Sequence, residues 1–185
     1  QPEESYQPDF SEGFTYAHRC SDRAIKFLEQ YKEEDFFLTV SYDEPHGPSL
    51  CPAPYNTMYK DFKFESSAKF TDTLDNKPLM QRLWAGDRLT EDESQINQSS
   101  DGLALFLGCN SYVDYEIGRV LNVIKEKLPN AMIIYTSDHG DMLGDHYHWR
   151  KTYPYEGSAH IPYIVKWPAG ISKSIPDGSS IEQPV

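Results

Sequence analysis

Residues 131–151 read AMIIYTSDHGDMLGDHYHWRK, and this stretch decides both the fold class and the place of the chemistry. The segment from Ala131 to Thr136 is apolar or β-branched, which is typical of a buried strand. The remainder is a dense polar loop of carboxylates, imidazoles and cations that follows the strand directly. Because polar residues concentrated at a strand end are more often functional than decorative, this loop is the candidate site.

The elements around this stretch predict an α/β fold. A helical pattern from about Leu103 to Leu128 precedes it, and two further apolar runs, Phe36–Tyr42 and Ile161–Trp167, read as buried strands. Strand, long helix, strand is the pattern of a right-handed parallel crossover. Strands that are apolar throughout suit a sheet covered on both sides. We therefore expect a mostly parallel or mixed central sheet flanked by helices on both faces.

The rest of the chain adds less. Apolar positions at helical spacing predict an amphipathic helix over 16–32, whereas residues 1–14 read as an arm or loop. Residues 56–100 are polar and predict loops and short helices. Gly118 lies inside the long helical pattern, where glycine costs up to about 1 kcal/mol relative to alanine. Its presence there suggests close packing at that position.

Composition narrows the function classes. The 185 residues include 17 Lys and Arg against 29 Asp and Glu, a formal charge of −12, and they suit one domain or a large part of one. This acidity argues against nucleic-acid binding and against docking on anionic lipid. No apolar run approaches the roughly 18 residues of a membrane span, and the first residues lack a signal-peptide pattern. The three cysteines are odd in number and far apart in sequence, which predicts buried free thiols rather than a disulfide framework or a zinc site.

Asp138 and His139 are the candidate metal ligands. A carboxylate beside an imidazole at the mouth of a sheet is a plausible part-site for a divalent cation, and Gly140 permits the tight turn. Carboxylate oxygen favours Ca²⁺, Mg²⁺ or Mn²⁺, while imidazole also accepts zinc. The alternative is that Asp138 caps the next turn and His139 only packs, and the local pattern does not choose between them.

Cations near this pair suggest an anion site. Lys151 can hold an anionic oxygen as a point charge and Arg150 can hold one bidentately, which suits sulfate or phosphate. A solvated salt bridge is the alternative for both. His46, after the first predicted strand, can supply a second anion contact or a proton, or it is an ordinary loop histidine. His146 lies in the polar loop and would, taken alone, be a surface residue.

Together, SDHGDMLGDHYHWRKTYPYEGSAHIPYIVKWP at 137–168 resembles the sulfatase family, within the alkaline-phosphatase-like superfamily of metal-dependent hydrolases. It carries Ser-Asp-His-Gly, Gly-Asp-His, Trp-x-Lys, Tyr-Glu-Gly-Ser-Ala and Pro-x-Ile-Val-x-Trp-Pro in the family's order. FFLTVSYDEPHGP resembles the family's strand and loop that bring an anion-binding histidine, and SYVDYEIGRVL resembles the helix between the two strands. The resemblance covers residues 24–55 and 101–170.

The resemblance implies a role for each candidate. Asp138 and His139 match the second pair of metal ligands, on Ca²⁺ or Mg²⁺. Lys151 matches the lysine that holds the sulfate oxygens, and His46 matches the histidine on the leaving-group side. His146 falls where some members place a substrate-facing polar residue. Other members of the family have asparagine at the position of His139, and the histidine here is more similar to the bacterial and phosphonate-hydrolase-like branches.

The resemblance also shows what this sequence lacks. The family's nucleophile is a formylglycine made in a Cys/Ser-x-Pro-x-Arg motif, and no cysteine or serine here starts that motif. The first aspartate pair of metal ligands is absent too, and His160 stands where the family commonly has arginine. We expect that the chain begins inside the catalytic domain, with the formylglycine in a missing N-terminal part. The expected division is a core of 16–55 and 101–170 with a variable insertion at 56–100.

The resulting expectation is part of a metal-dependent sulfuric ester hydrolase that is inactive as this chain alone. A phosphonate or phosphate ester hydrolase of the same superfamily is the first alternative, and a non-catalytic metal-binding domain is the second. The expected partners are a small aryl, sugar or choline-like sulfate and the remainder of the same polypeptide. Ca²⁺ is the favoured metal, ahead of Mg²⁺ or Mn²⁺. The oligomeric state and the compartment, cytoplasmic or periplasmic and secretory, stay open.

Overall fold

The computed structural model describes residues 11–62, 72–86, 100–168 and 171. Its helices and strands, in chain order, are α1 (Tyr16–Tyr31), α2 (Leu79–Ala85), α3 (Ser100–Lys127), β1 (Ile133–Thr136), α4 (Glu156–Ala159) and β2 (Tyr163–Lys166). Short 3₁₀ turns add Glu12–Phe14, Tyr55–Thr57 and Asp145–Tyr147. In the segment 56–100, for which loops and short helices are predicted, the structure has helix α2 and the end of the 3₁₀ turn Tyr55–Thr57. Residues 63–71 and 87–99 of this segment lie outside the described residues.

Helix α1 begins at a defined cap and confirms the predicted amphipathic helix. Thr15 has an extended backbone, and its Oγ1 accepts a hydrogen bond from the His18 N–H at 3.1 Å, which satisfies one free donor of the first turn. The buried positions recur every three or four residues and form a single stripe: Ala17, Ser21, Ala24 and Leu28.

Helix α3 confirms the predicted long helix and packs along that stripe. The two helices bury two apolar clusters, one with Ala17, Cys51, Cys109, Tyr112 and Val113, the other with Ala24, Leu28 and Val120. This helix pair is the core of the described structure. It positions the loop after residue 42 at one end of α1, because the Glu44 Oε1 accepts the Ala17 N–H at 2.9 Å.

A charged network joins α1 and α3 beside the core. Glu116 is fully buried, and its Oε2 accepts a hydrogen bond from Arg119 at 2.7 Å. Arg119 also donates to Asp22 at 2.6 Å. Burial works against the charged guanidinium, but the hydrogen bonds to Asp22 and Glu116 outweigh it and hold the pKa of Arg119 above its usual range. The buried carboxylate is thereby compensated.

The glycine that permits close packing in α3 is Gly108, so the expectation for Gly118 was wrong. A Cβ at Gly118 would meet nothing within 4 Å, whereas one at Gly108 would overlap the Tyr55 carbonyl oxygen. The backbone of the 51–57 segment therefore lies directly against the helix at Gly108. Gly118 occupies an open helix surface, where its cost is not offset by packing.

Within the described ranges the run Phe36–Tyr42 belongs to no helix or sheet, which contradicts the predicted buried strand. Leu38 and Val40 pack against the second apolar cluster, while Phe37 is 92% exposed. An extended run becomes a strand only when a neighbour accepts its backbone hydrogen bonds. The described part of the chain places no such neighbour beside it.

The one sheet of the described residues is an antiparallel pair, and the parallel crossover predicted between 36–42 and 131–136 does not form among these residues. β1 pairs with β2 in a register that sets Ile133 opposite Lys166 and Thr136 opposite Tyr163. The strands are also not buried, since Ile134 is 47% and Tyr163 69% exposed. The apolar runs at 131–136 and 161–167 were therefore correctly read as strands. Their predicted burial fails because no described layer covers the sheet.

The cysteine expectation is confirmed for two of the three thiols. Cys20, Cys51 and Cys109 are all free, and Cys51 and Cys109 are fully buried, whereas Cys20 is only partly buried. Among the helices that the structure describes, none is both long enough and apolar enough to cross a bilayer.

Candidate functional site

The loop between β1 and α4 is held in shape by one carboxylate. Asp141 Oδ1 accepts the Leu143 N–H at 2.9 Å and the Arg150 N–H at 3.1 Å. The Met142 N–H donates to the Arg150 carbonyl at 2.8 Å, so the two arms of the loop also pair through backbone. This closure fixes the backbone at Arg150, which Lys151 follows directly.

The same loop stores backbone strain. Five non-glycine residues in and beside it have left-handed φ values, namely Leu143 (47°), His146 (54°), Tyr147 (61°), Arg150 (71°) and Thr152 (81°). Each such residue costs on the order of 1 kcal/mol, and runs of them concentrate where the surrounding structure imposes a functional geometry.

Gly140 attaches the start of the loop to α4. Its N–H donates to the Ser158 carbonyl at 2.8 Å, and a Cβ at this position would overlap the Gly157 carbonyl oxygen. Only glycine permits this approach. The backbone after Asp138 and His139 is therefore fixed by a second element.

Asp138 and His139 form a two-ligand arrangement. The His139 Nδ1 donates to the Gly140 carbonyl at 2.8 Å, and the His139 Nε2 lies 3.4 Å from the Asp138 Oδ2. A carbonyl can only accept, so the proton is on Nδ1 and the Nε2 lone pair is available, the state in which histidine binds metals. The Asp138 side chain is 85% exposed, and its Oδ1 accepts only from nearby groups, the His139 N–H and the Ser137 hydroxyl. The donor set fits a divalent cation, and no helix cap by Asp138 is formed.

Lys151 is partly buried and has no ion-pair partner within the ranges that the structure describes. The alternative of a solvated salt bridge thus finds no carboxylate there. Arg150 is exposed and contributes its backbone N–H to the Asp141 bond. An ammonium that has no ion-pair partner among the described residues is suited to hold an anionic oxygen.

His46 lies on two consecutive turns after the first predicted strand. Its N–H donates to the Asp43 carbonyl at 3.0 Å, and its own carbonyl accepts from Ser49 at 3.1 Å. The ring Nδ1 donates to the Gly47 carbonyl at 2.9 Å, which leaves Nε2 open on an exposed side chain. No described contact joins His46 to the loop that carries Lys151, so the structure does not bring these two candidates together.

His146 is fixed by residues that lie far away in sequence. Its Nδ1 lies 2.7 Å from the Asp72 Oδ2, and its ring stacks on Tyr155 with centroids 4.2 Å apart. The Tyr155 hydroxyl donates to Gln81 at 2.8 Å. Hydrogen bonding from the Leu74 N–H, and then from His146, holds the pKa of Asp72 below its usual value. The segment 72–86 is thus docked against the site loop.

Sequence reasoning missed Asp72 as a partner of His146 and Asp141 as the organiser of the loop. The Asp141 bonds could have been suspected, since an aspartate side chain commonly accepts the N–H two residues on. For Asp72 the sequence holds no signal, because the pair is separated by the whole of α2 and α3.

The other histidines do not join the site as a group. His148 is buried and stacks on Tyr153, with centroids 4.2 Å apart and planes 4° from parallel. His160 forms an exposed pair with Glu156 at 3.1 Å on α4. The four histidines of this region therefore have different environments. His139 is a candidate metal ligand and His146 is held by Asp72 and Tyr155, whereas His148 is buried and His160 is exposed.

A second carboxylate–imidazole group lies between α1 and α3. Ligand atoms of Glu12, His18 and Glu116 lie within 4.8 Å of one another. However, Arg119 donates to Glu116 at 2.7 Å and approaches the His18 Nδ1 to 3.1 Å. The guanidinium already supplies the positive charge there, so this group is an ion-pair network and the loop after β1 remains the better candidate.

Comparison with known proteins points to one family. The sequence profile of the family described as Sulfatase matches residues 1–185. The chain is 42% identical over 171 residues to the uncharacterized sulfatase YidJ of Escherichia coli K12, which covers 89% of this chain and 33% of that protein. It is 33% identical over 165 residues to an arylsulfatase of Clostridium perfringens, and this match covers 82% of this chain and 32% of the arylsulfatase. The chain thus spans about a third of the length of these relatives.

Solved structures agree on the fold. The phosphonate monoester hydrolase of Agrobacterium radiobacter superimposes with a TM-score of 0.70 at 26% identity, over 87% of this chain and 34% of that one. The predicted α/β, alkaline-phosphatase-like fold class is therefore confirmed. This chain contributes to such a fold a helix pair, the site loop and a small sheet.

Proposed function

Because the chain belongs to the sulfatase family, we propose that it works within a longer metal-dependent hydrolase of sulfate esters. In this proposal the chain supplies half of the metal site and part of the cradle for the sulfate group. The observation that supports it most is the Asp138–His139 pair, whose Oδ2 and Nε2 lie 3.4 Å apart with the histidine proton held on the other nitrogen.

Asp138 and His139 would hold the cation, and Ca²⁺ is proposed ahead of Mg²⁺ or Mn²⁺ on the family resemblance, since carboxylate oxygen suits all three ions. When bound, such a cation withdraws charge from sulfate oxygens and lowers the pKa of a neighbouring hydroxyl. The Gly140 carbonyl and Asp141 keep the two ligands in place, through the His139 Nδ1 bond and the loop closure. In this proposal the Gly140 carbonyl and Asp141 orient the two metal ligands before the substrate binds.

Lys151, His46 and His146 are assigned to the sulfate and its leaving group. The Lys151 ammonium would neutralise charge on the transferring oxygens, a role that strengthens as the S–O bond to the alcohol breaks. His46, with Nδ1 held by the Gly47 carbonyl, would present Nε2 toward the leaving-group oxygen and, when protonated, donate to it. His146 would face the substrate, with its ring held by Asp72 and Tyr155.

The nucleophile is assigned to a formylglycine outside this chain, which would supply the hydroxyl that attacks sulfur. For this reason we expect no hydrolysis of an aryl sulfate by the 185-residue chain alone.

The segment 72–86 is proposed to select the alcohol of the substrate, as part of the variable insertion at 56–100. It contacts the site loop through Asp72 with His146, Gln81 with Tyr155, and Trp84 against Tyr153 at 5.4 Å. A small aryl, sugar or choline-like sulfate is proposed, since relatives are named arylsulfatase, iduronate 2-sulfatase and choline-sulfatase.

The test of this function uses the full-length protein and an aryl sulfate. Lys151→Ala is expected to lower kcat/KM by about 100-fold or more, the scale for one electrostatic donor. Lys26→Ala, an exposed lysine on α1, is the matched control and should leave kcat/KM unchanged. An unchanged kcat/KM in Lys151→Ala would reject the assigned role.

A phosphonate or phosphate ester hydrolase is the second candidate, and the structural similarity to a phosphonate monoester hydrolase supports it. Comparing an aryl sulfate with an aryl phosphonate on the same full-length protein separates the two. A higher kcat/KM for the phosphonate would favour the second candidate, and no turnover of either with retained metal binding would favour a non-catalytic domain.

A further inference from the structure

Two of the three thiols are buried together in the main apolar cluster. Cys51 and Cys109 are both fully buried and share that cluster with Ala17, Tyr112 and Val113. Cys20 lies apart on α1, where its thiol contacts the Ser41 carbonyl at 3.3 Å. The proposed sulfatase chemistry uses none of the three, so the buried pair has no role assigned so far.

The pair joins two functional parts of the chain. Cys51 follows the loop that carries His46, and Cys109 lies on α3. The absence of a side chain at Gly108 lets the loop backbone approach, and a Cβ there would lie 3.6 Å from the Cys51 Sγ. The Cys109 Sγ in turn lies 3.7 Å from the Leu50 carbonyl oxygen. These two contacts place Leu50 and Cys51 directly against Gly108 and Cys109.

The contact makes the two sulfurs chemically unequal. The neighbouring Cys109 thiol lowers the pKa of Cys51, while the Cys51 thiol and burial raise the pKa of Cys109. The lowered pKa favours Cys51 as the attacking sulfur, since a thiolate is the form that reacts with oxidants. Its neighbour Leu50 is 39% exposed, so the segment that carries Cys51 reaches the protein surface next to the buried thiol.

We propose that Cys51 and Cys109 are an oxidisable dithiol, which hydrogen peroxide converts into a disulfide that fastens the His46 loop to α3. The Cys51 thiolate attacks one peroxide oxygen, the O–O bond breaks and hydroxide leaves, which produces a sulfenic acid. The Cys109 sulfur then attacks the Cys51 sulfur, the S–S bond forms, and water leaves with the thiol proton. Overall two thiols lose two electrons and two protons, and peroxide is reduced to two waters.

The disulfide would also change stability. It closes a long loop that includes α2, and closing a long loop restricts the unfolded chain. The oxidised chain should therefore melt several degrees above the reduced chain. Dithiothreitol should reverse the change.

The test is intact mass after peroxide treatment, followed by denaturation and alkylation with N-ethylmaleimide. The peroxide dose is one that oxidises free glutathione completely in the same buffer. The chain is expected to lose about 2 Da, the mass of two hydrogens, and to alkylate only at Cys20. Peptide mapping should show Cys51 joined to Cys109.

Variants separate this outcome from others. Cys20→Ser, the matched control, should lose the same mass and take up no alkyl group, whereas Cys51→Ser and Cys109→Ser should form no internal disulfide. Peptide mapping of the unmodified sequence remains decisive if either variant fails to fold. Three alkylatable thiols after peroxide, or a disulfide that contains Cys20, would overturn the proposal.

Discussion

Asp141 holds the site loop through two backbone N–H groups, and this bond can be tested without activity. Asp141→Ala leaves the Leu143 and Arg150 donors without their acceptor, so we expect a loss of about 1–3 kcal/mol in the free energy of unfolding. Asp141→Asn keeps an acceptor oxygen and is the matched control, with a smaller loss. Chemical denaturation measures both, and equal losses would contradict the role given to the carboxylate oxygen.

Asp72 gives the structure a predictable acid dependence. Its pKa is lowered by the Leu74 N–H and by His146, so the folded chain releases this proton more readily than the unfolded chain does. The stabilisation is therefore complete above about pH 5, where both states are ionised, and is lost as pH falls through the lowered pKa. Asp72→Asn should flatten the fall of Tm between about pH 5 and pH 2.

The control for Asp72→Asn is Asp75→Asn, an exposed aspartate three residues along that accepts only from Thr73. That variant should keep the acid dependence of the unmodified chain. If Asp72→Asn keeps it as well, the hydrogen bonds from the Leu74 N–H and from His146 do not lower the pKa of Asp72 in solution.

How far the candidate site follows from sequence differs from residue to residue. Asp138 and His139 are adjacent, so a single strand-end pattern predicts that they act together, and the observed 3.4 Å separation agrees. His46 and Lys151 lie on different loops, and their relation depends on how those loops pack. The Asp72–His146 contact depends on the docking of 72–86, which no local pattern encodes.

Elements that carry their own hydrogen bonds were predictable, and those that need partners were not. A helix satisfies its backbone internally, so apolar spacing alone located α1 and α3 to within about three residues. The run Phe36–Tyr42 has the composition of a strand, but a ladder requires a second chain segment. The packing of Leu38 and Val40 against the second apolar cluster is what composition could predict.

The packing of α3 against the 51–57 segment gives a prediction at the element scale. Gly108→Ala places a methyl group onto the Tyr55 carbonyl, so we expect a destabilisation of about 1–3 kcal/mol. Gly118→Ala on the same helix meets nothing within 4 Å and should instead stabilise by up to about 1 kcal/mol. Equilibrium unfolding distinguishes the two signs, and a stabilising Gly108→Ala would contradict the close approach.

At the scale of the whole molecule, the apolar surface is more exposed than the sequence predicts. Ile134, Tyr163 and Phe37 belong to runs that composition assigns to a buried sheet, yet each is largely open. The chain spans about a third of its relatives, and we propose that the remainder of the polypeptide covers these faces. The fold class follows from the order of elements, whereas the burial of a strand depends on what packs against each of its faces, which the strand's own sequence does not encode.

The central claim is that Asp138 and His139 hold a divalent cation, and elemental analysis of the full-length protein tests it most directly. We expect about one equivalent of metal, chiefly Ca²⁺, in the unmodified protein and in His160→Ala, whose histidine forms only an exposed pair with Glu156. Asp138→Ala and His139→Ala should each lose most of that metal while remaining folded by circular dichroism. Folded variants that both retain a full equivalent would contradict the account.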